Sequence, residues 1–295
     1  MSKKPAKSNA YRLIYTFIML LGSILTASTA LSEERQISLN IKNNISATAS
    51  YSAGNKSKPA VLLLHGFLVT RNNATLKNLT TAIHDEGYTT LAPTLSLGID
   101  KRKQSLACEA IHTHTMDGDT SEIKLWVQWL IKNGHKKIIL LGHSFGSLNM
   151  LVFLKQHPSP EISYAIATSL IDIEHAIGKQ SVTDQLKEAY SQIKKNNKSL
   201  QEYKISYCKK FISTAETFVS YAKWNKKHIL SLLKSIKTPV HIIMGEKDQR
   251  MEKKWPATLS RHGTIVDIIP GANHFFSDEF EFELHDQVLN TLNKI

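Results

Sequence analysis

Three short segments of the chain hold the residue types that acyl-transfer chemistry uses. In Gly142-His143-Ser144-Phe145-Gly146, a G-x-S-x-G pattern sets a serine between an apolar run, residues 138–141, and a helical run, residues 147–156. A serine on so tight a strand-to-helix turn is lifted clear of a sheet, and side chains two residues to either side would clash, hence the glycines. The helix that follows aims its N-terminus at the serine, where a developing negative charge is favoured. The competing account is a plain connection in which the serine only caps the helix. Gly245-Glu246-Lys247-Asp248 follows a second apolar run, and Pro270-Gly271-Ala272-Asn273-His274 follows the last one. A serine hydroxyl is too weakly acidic to attack unaided and needs a base within hydrogen-bond reach. Histidine, with an ordinary pKa of about 6.5, suits that task, and a carboxylate can fix its tautomer. Taken singly, His274 is equally a helix cap and Asp248 a turn residue.

The elements that must carry these segments alternate along the chain. Residues 36–42 and 45–52 alternate apolar and polar around Asn43-Asn44 and predict an antiparallel hairpin at a sheet edge. Residues 60–64 are a short, continuously apolar strand ending in His65-Gly66-Phe67. A helix over 73–86, a strand over 88–92 closed by Pro93, and a long loop over 94–118 follow; Asp119 or Thr120 can cap the next helix, which runs to Asn133. After the serine strand and helix come strands over 162–169, 239–244 and 264–269, and helices over 252–261 and 274–293. Between the first two of those strands, residues 170–238 are polar, helix-prone and basic, with thirteen lysines against six acids. They predict a helical cap inserted over the sheet, whose last helix, 226–235, is the ordinary crossover. The whole predicts an α/β fold: a mostly parallel central sheet with helices on both faces, ligands binding at the carboxyl ends of the strands.

Composition narrows the classes. Of the 295 residues, 42% are hydrophobic and 21% charged, which suits one large domain with a sizeable core. The net charge of +12 is lysine spread along the chain, with no nucleic-acid-binding motif beside it, so solubility or attraction to an anionic membrane surface explains it better. If the serine segment above does acyl-transfer chemistry, the expected partner is a small-molecule or lipid-like ester; the charge pattern adds no nucleic acid and leaves peripheral membrane association as an option. Residues 1–30 resemble a signal peptide: Lys3, Lys4, Lys7 and Arg12, then the apolar stretch 13–25, then the small residues 27–30. The expectation is export to a periplasm or medium, the alternative an uncleaved N-terminal anchor. Export would put Cys108 and Cys208 in an oxidising compartment, where they either pair or stay two buried thiols. Cys108, His112, His114 and Asp117 share one loop but complete no structural-zinc spacing, so no metal and no cofactor are expected. That loop is expected to border the acyl or alcohol pocket.

The G-x-S-x-G setting, the chain order Ser, Asp, His and the position of each after a strand resemble the α/β-hydrolase superfamily, over about residues 36 to 295. The resemblance implies Ser144 as nucleophile, Asp248 as acid and His274 as base, with Glu246, Asp278 and Asp172 as weaker substitutes for the acid. His65-Gly66-Phe67 resembles the superfamily's oxyanion loop and implies backbone N–H donors at Phe67 and Phe145, His65 itself being structural. The expected domains are the signal segment 1–30, a hydrolase core of 31–169 with 239–295, and the cap 170–238. The expected function is that of an exported serine hydrolase cleaving a carboxylic ester through an acyl-enzyme. An acyltransferase or peptidase on the same residues, or a non-catalytic binding protein of that fold, is the alternative. Phe211, Phe218, Val219, Tyr221 and Trp224 are expected to turn inward from the cap and set substrate choice, core packing being the competing account of each.

Overall fold

The structure, a computed structural model, describes residues 1–2, 33–42 and 44–295. The signal-like segment from residue 3 on, its expected cleavage site, and Asn43 of the first turn lie outside the described residues.

Eight strands form the main sheet: β1 (Arg35–Lys42), β2 (Ile45–Ser52), β3 (Ala60–Leu64), β4 (Thr89–Thr94), β6 (Ile138–His143), β7 (Ile162–Thr168), β10 (Val240–Gly245) and β11 (Ile265–Ile269). Their order is β1-β2-β4-β3-β6-β7-β10-β11. The edge hairpin β1–β2 and its junction with β4 are antiparallel; from β4 onward every pairing is parallel. The six strands β4, β3, β6, β7, β10 and β11 therefore run in one direction and end on one side of the sheet, where the loops after β3, β6, β10 and β11 lie.

The central strands are buried on both faces because each must feed two cores. In β3, Leu62 and Leu64 join the cluster beneath α2 (Met116–Lys132) and α3 (Phe145–Gln156), while Val61 and Leu63 join the opposite one. That second cluster is covered by α1 (Ala74–Asp85), through Leu76, Leu79 and Ile83, and by α9 (Phe280–Leu292), through Leu284 and Val288. The period of two along the strand thus distributes one apolar run between two layers.

Three details depart from the sequence expectation. β4 runs through Pro93 to Thr94. The proline is tolerated because β3 pairs with β4 only as far as Leu91, so the absent N–H breaks no ladder on that side. α2 starts a turn early: Thr115 is its N-cap and accepts a hydrogen bond from Gly118 N at 3.1 Å, which puts Asp119 and Thr120 inside the helix, facing the core. The closing helix begins only at Phe280, so His274 sits in a loop.

The insertion 170–238 is not purely helical. It holds α4 (Ile173–Ile177), α5 (Lys179–Lys194), α6 (Ala215–Ala222) and α7 (Lys226–Ser235), and between α5 and α6 a hairpin of β8 (Gln201–Ile205) and β9 (Cys208–Ser213). The hairpin's alternation was hidden among lysines: Tyr203, Ile205, Phe211 and Ser213 are buried while Glu202, Lys204, Lys209 and Lys210 face solvent. Ile205 pairs with Cys208, leaving Ser206 and Tyr207 as the turn, with Ser206 at φ 52°. A two-residue strand β5 (Ile111–His112) from the long loop after β4 adds to β9 and completes a small second sheet. Cys108 and Cys208 are joined in a disulfide with Cα atoms 5.3 Å apart, so the same loop is also tied covalently to the hairpin turn.

Candidate active site

Ser144 sits between β6 and α3 at φ 57°, ψ −120°, a backbone conformation that L-residues rarely adopt. Two glycines make this turn feasible. A Cβ on Gly142 would lie 2.4 Å from the Gly146 carbonyl oxygen, and a Cβ on Gly146 would lie 2.3 Å from the Leu64 carbonyl oxygen. The second contact matters twice, because it lets the end of β3 press against the start of α3 and brings His65-Gly66-Phe67 beside the serine. The turn is also held by Ser147, whose hydroxyl donates to the Gly142 carbonyl at 2.6 Å, and by Ser144 N–H, which donates to Thr168 O at 2.8 Å.

The other two loops meet each other through Gly245, where a Cβ would fall 2.4 Å from Ala272 O. Lys247 N–H donates to Ala272 O at 2.8 Å, and Gly271 N–H donates to the Glu246 carboxylate at 2.9 Å. This close approach sets Asp248 against His274. The imidazole Nδ1–H donates to Asp248 Oδ2 at 2.7 Å, and the Ser144 hydroxyl donates to His274 Nε2 at 2.8 Å. All three side chains are buried. The other Asp248 oxygen accepts from Arg250 N–H at 2.8 Å, and the Ser169 hydroxyl holds His274 by its carbonyl at 2.8 Å.

The three substitute acids have other employment. Glu246 binds the Gly271 N–H. Asp172 caps α4 at His175 N, accepts from Glu252 N, and pairs with Lys226 Nζ at 3.2 Å. Asp278 lies in the loop before α9 at φ 61° and does not reach the imidazole.

Phe67 and Phe145 come together with their rings 4.7 Å apart, and neither backbone N–H has an acceptor among the described residues. A Cβ on Gly66 would be 3.4 Å from Ser144 Cβ, so the loop backbone runs directly past the serine. His65 is structural: Nδ1–H donates to Gly66 O at 2.8 Å and Nε2 accepts from Leu95 N–H at 3.0 Å. Burial, then the nearby Arg102 charge, lowers its pKa to about 3, so it stays neutral.

Further residues shape the site, and of these Arg102 carried no sequence signal. Buried Arg102 donates to the carbonyls of Leu95, Gln104 and Val69, each at 2.8 Å, and so ties the His65-Gly66-Phe67 turn to the loop after β4. Behind Phe67 and Phe145, Tyr221 donates to Asp119 Oδ2 at 2.7 Å and accepts from His114 Nδ1 at 2.5 Å. Burial raises the Asp119 carboxyl to about 8 and lowers His114 to about 3. His143, next to the serine, donates from Nδ1 to Thr168 Oγ1 at 3.0 Å and is kept neutral chiefly by burial.

A cleft of about 110 Å³ opens at Ser144, with Gly66, Phe67, Tyr207, Arg250 and Phe275 in its wall. A second cavity of about 170 Å³ adjoins it across Tyr207 and Arg250 and runs to Ile171 and Ala176. The insertion's contribution to the Ser144 cleft is Tyr207, whose hydroxyl donates to Phe67 O at 2.9 Å, and not the five residues expected from the sequence. Phe211 stacks on His112 at 4.2 Å, Phe218 stacks on Tyr203 at 4.1 Å, Tyr221 packs on Phe145 at 5.6 Å, Val219 is buried in the core, and Trp224 bonds to Ser220 O. Phe211 and Tyr221 fasten the insertion to the core, while the contacts of Phe218 and Trp224 lie within the insertion. His112 and His114 likewise pack behind Phe67 and do not line the cleft. Among the described residues no group of three or more histidine, cysteine, aspartate or glutamate side chains is gathered to hold a metal ion.

Solved structures with the same architecture include Est1E from Butyrivibrio proteoclasticus with ferulic acid bound, at TM-score 0.65 and 17% identity over 88% of this chain and 100% of that one. The Pyrococcus furiosus esterase PF2001 gives TM-score 0.60 and 19% identity over 89% of this chain and 91% of that one. The α/β hydrolase GrgF from Penicillium sp. sh18 gives 0.66 and 16% over 89% and 98%. At these identities the likeness is one of fold. No curated protein matches the sequence. The model of a family described as "Protein of unknown function (DUF1749)" matches residues 74–238, a stretch that includes Ser144 and the insertion and stops short of Asp248 and His274. More than half of the chain lies within that match, and the chain is therefore a member of the DUF1749 family built on the α/β-hydrolase fold.

Proposed function

We propose that the chain is an exported serine hydrolase that cleaves a carboxylic ester through an acyl-enzyme. The observation that carries this reading is the unbroken relay Asp248–His274–Ser144, with bonds of 2.7 and 2.8 Å, opening into a cleft. Ser144 Oγ attacks the ester carbonyl carbon while His274 Nε2 takes its proton, and Asp248 steadies the resulting imidazolium. The tetrahedral oxygen takes up the negative charge and the two backbone N–H groups of Phe67 and Phe145 stabilise it; losing one such donor typically costs about 2.7–4 kcal/mol of barrier. As the carbon–oxygen bond breaks, His274 returns the proton to the departing alcohol. Water then attacks the acyl-enzyme with His274 again as base, and the acid leaves with Ser144 restored.

The cleft is small beside the roughly 300–1,000 Å³ of an ordinary ligand site, which supports a compact ester over a long acyl chain. Export is supported by the charged, apolar and small-residue order of segment 1–30 and by the Cys108–Cys208 disulfide, a bond that persists in oxidising compartments. Among the described residues no helix is long and apolar enough to cross a membrane.

The test is a panel of esters of graded acyl length on wild type and Ser144→Ala, together with fluorophosphonate labelling. Short esters should turn over on wild type alone, and the label should sit on Ser144. A protein that neither labels nor hydrolyses any member would be a binding module on this fold.

A further inference from the structure

Arginines withdrawn from solvent normally have their donors assigned, as buried Arg102 and half-buried Arg71 do in this chain. Arg71 donates to Ser50, Thr48 and Thr94, and Arg102 to backbone carbonyls of the loop it braces. Arg250 is different. Its guanidinium is half-buried and lies over two rings, 4.7 Å from the centre of Phe275 and 5.3 Å from that of Tyr207. Among the described residues it has no hydrogen-bond acceptor and no ion-pair partner. The neighbouring carboxylates are spent: Asp248 on His274 and on the backbone N–H of Arg250, and Asp172 on Lys226 and two backbone N–H groups.

This cation also stands where a substrate must pass. It lines both the Ser144 cleft and the adjoining cavity, so the wall between the two is Arg250 with Tyr207. The two ring contacts restrict the guanidinium and so reduce the entropy lost when it pairs with a planar anion. Its charge is felt at the catalytic turn, where it helps keep His143 neutral. With no protein acceptor among the described residues, the fork of five N–H donors is open to a ligand, and a carboxylate meets it in bidentate geometry.

We infer that Arg250 is the specificity-determining residue of the site and that the hydrolysed ester carries a carboxylate, which docks on Arg250 while the ester carbonyl sits at Ser144. This rests on the serine-hydrolase reading. The carboxylate belongs either to the acyl part or to the alcohol part, and the two arms of the test separate these.

The test compares kcat/KM for charged and neutral partners of matched size: the para-nitrophenyl monoester of adipic acid against para-nitrophenyl heptanoate for an acyl-side charge, and para-carboxyphenyl acetate against para-tolyl acetate for an alcohol-side charge. Wild type should prefer the charged member of one pair. Arg250→Gln should reduce that charged-to-neutral ratio about tenfold or more, chiefly through KM, in keeping with the loss of a charge-assisted hydrogen bond. Arg250→Lys, which keeps the charge without the fork, should recover part of it. Calorimetric titration with benzoate and with adipate gives a second readout that needs no turnover: binding to wild type should weaken about tenfold in Arg250→Gln. Fluorophosphonate labelling reports on the underlying reading separately. If Ser144 labels and both charged-to-neutral ratios are unaffected by Arg250→Gln and Arg250→Lys, the inference is overturned while the hydrolase stands. If Ser144 does not label, the calorimetric difference alone decides whether Arg250 binds a carboxylate, and its absence overturns the inference.

Discussion

A methyl group on Gly146 would drive against the Leu64 carbonyl, and one on Gly142 against Gly146 itself, so the strained Ser144 backbone exists because its neighbours are bare. Those glycines, the serine and the strand before it are contiguous in sequence, which is why this part of the site was legible there. Asp248 and His274 were legible for a related reason, since each lies a fixed few residues beyond an apolar strand. If the three act as one relay, their losses should not add: Ser144→Ala and His274→Ala should each abolish ester turnover, and the double variant should be little worse than either, as steady-state kinetics would reveal. Asp119, expected as a helix cap, lies inside α2 because Thr115, four residues earlier, takes the cap. Its carboxyl, held up to about 8 mainly by burial, keeps a proton that the unfolded chain has shed above its ordinary value of 3.8. Between those two values the native state binds more protons than the unfolded one, so this residue makes the protein less stable as pH rises. Asp119→Asn still offers Tyr221 an acceptor and removes the titration. Urea midpoints should therefore show the variant gaining on wild type from pH 5 to pH 8; a constant difference would mean that Asp119 is ionised in the fold.

At the scale of elements, the strand–helix alternation was readable because each apolar run has one length and one place in the sheet. The insertion was not. Its hairpin alternates with period two, but Lys204, Lys209 and Lys210 on the outer face masked the pattern, and only pairing with Ile111 and His112, about a hundred residues away, completes the small sheet. Tyr207, exposed at 44%, reads as an ordinary surface residue until the turn carries it across to Phe67. The hairpin turn is held there by that hydrogen bond, by the packing of the Tyr207 ring on Phe67 and Arg250, and by the adjacent Cys208 bridge. Chain entropy assigns a closure of this length about 4–5 kcal/mol, although measured gains are often smaller. Cys108→Ser with Cys208→Ser should lower the urea-derived stability by about 2–4 kcal/mol and should raise KM for compact esters more than it lowers kcat, because Tyr207 loses its anchor while the serine relay keeps its own. An unchanged KM would separate the bridge from the cleft.

The whole molecule is held by two apolar layers on one sheet, and loops from both halves of the chain meet above it. Arg250 and Tyr207 face each other from opposite sides of that meeting point, and no local pattern connects residues so far apart in sequence; this is why the walls of the cleft emerged only from the folded chain. The bridge has a further consequence of connectivity. Residues 108 and 208 close a covalent ring, and the ring contains Ser144 and Phe145 whereas Phe67, Asp248 and His274 lie outside it. The exposed link between α5 and β8 lies inside the ring and carries Lys195 and Lys198. A tryptic cut there should leave one species on a non-reducing gel and two on a reducing gel, with hydrolysis surviving the first condition. A cut beyond Cys208 would instead part the fragment bearing Ser144 from the fragment bearing Asp248 and His274, and only the packing of the sheet would then keep the three residues together.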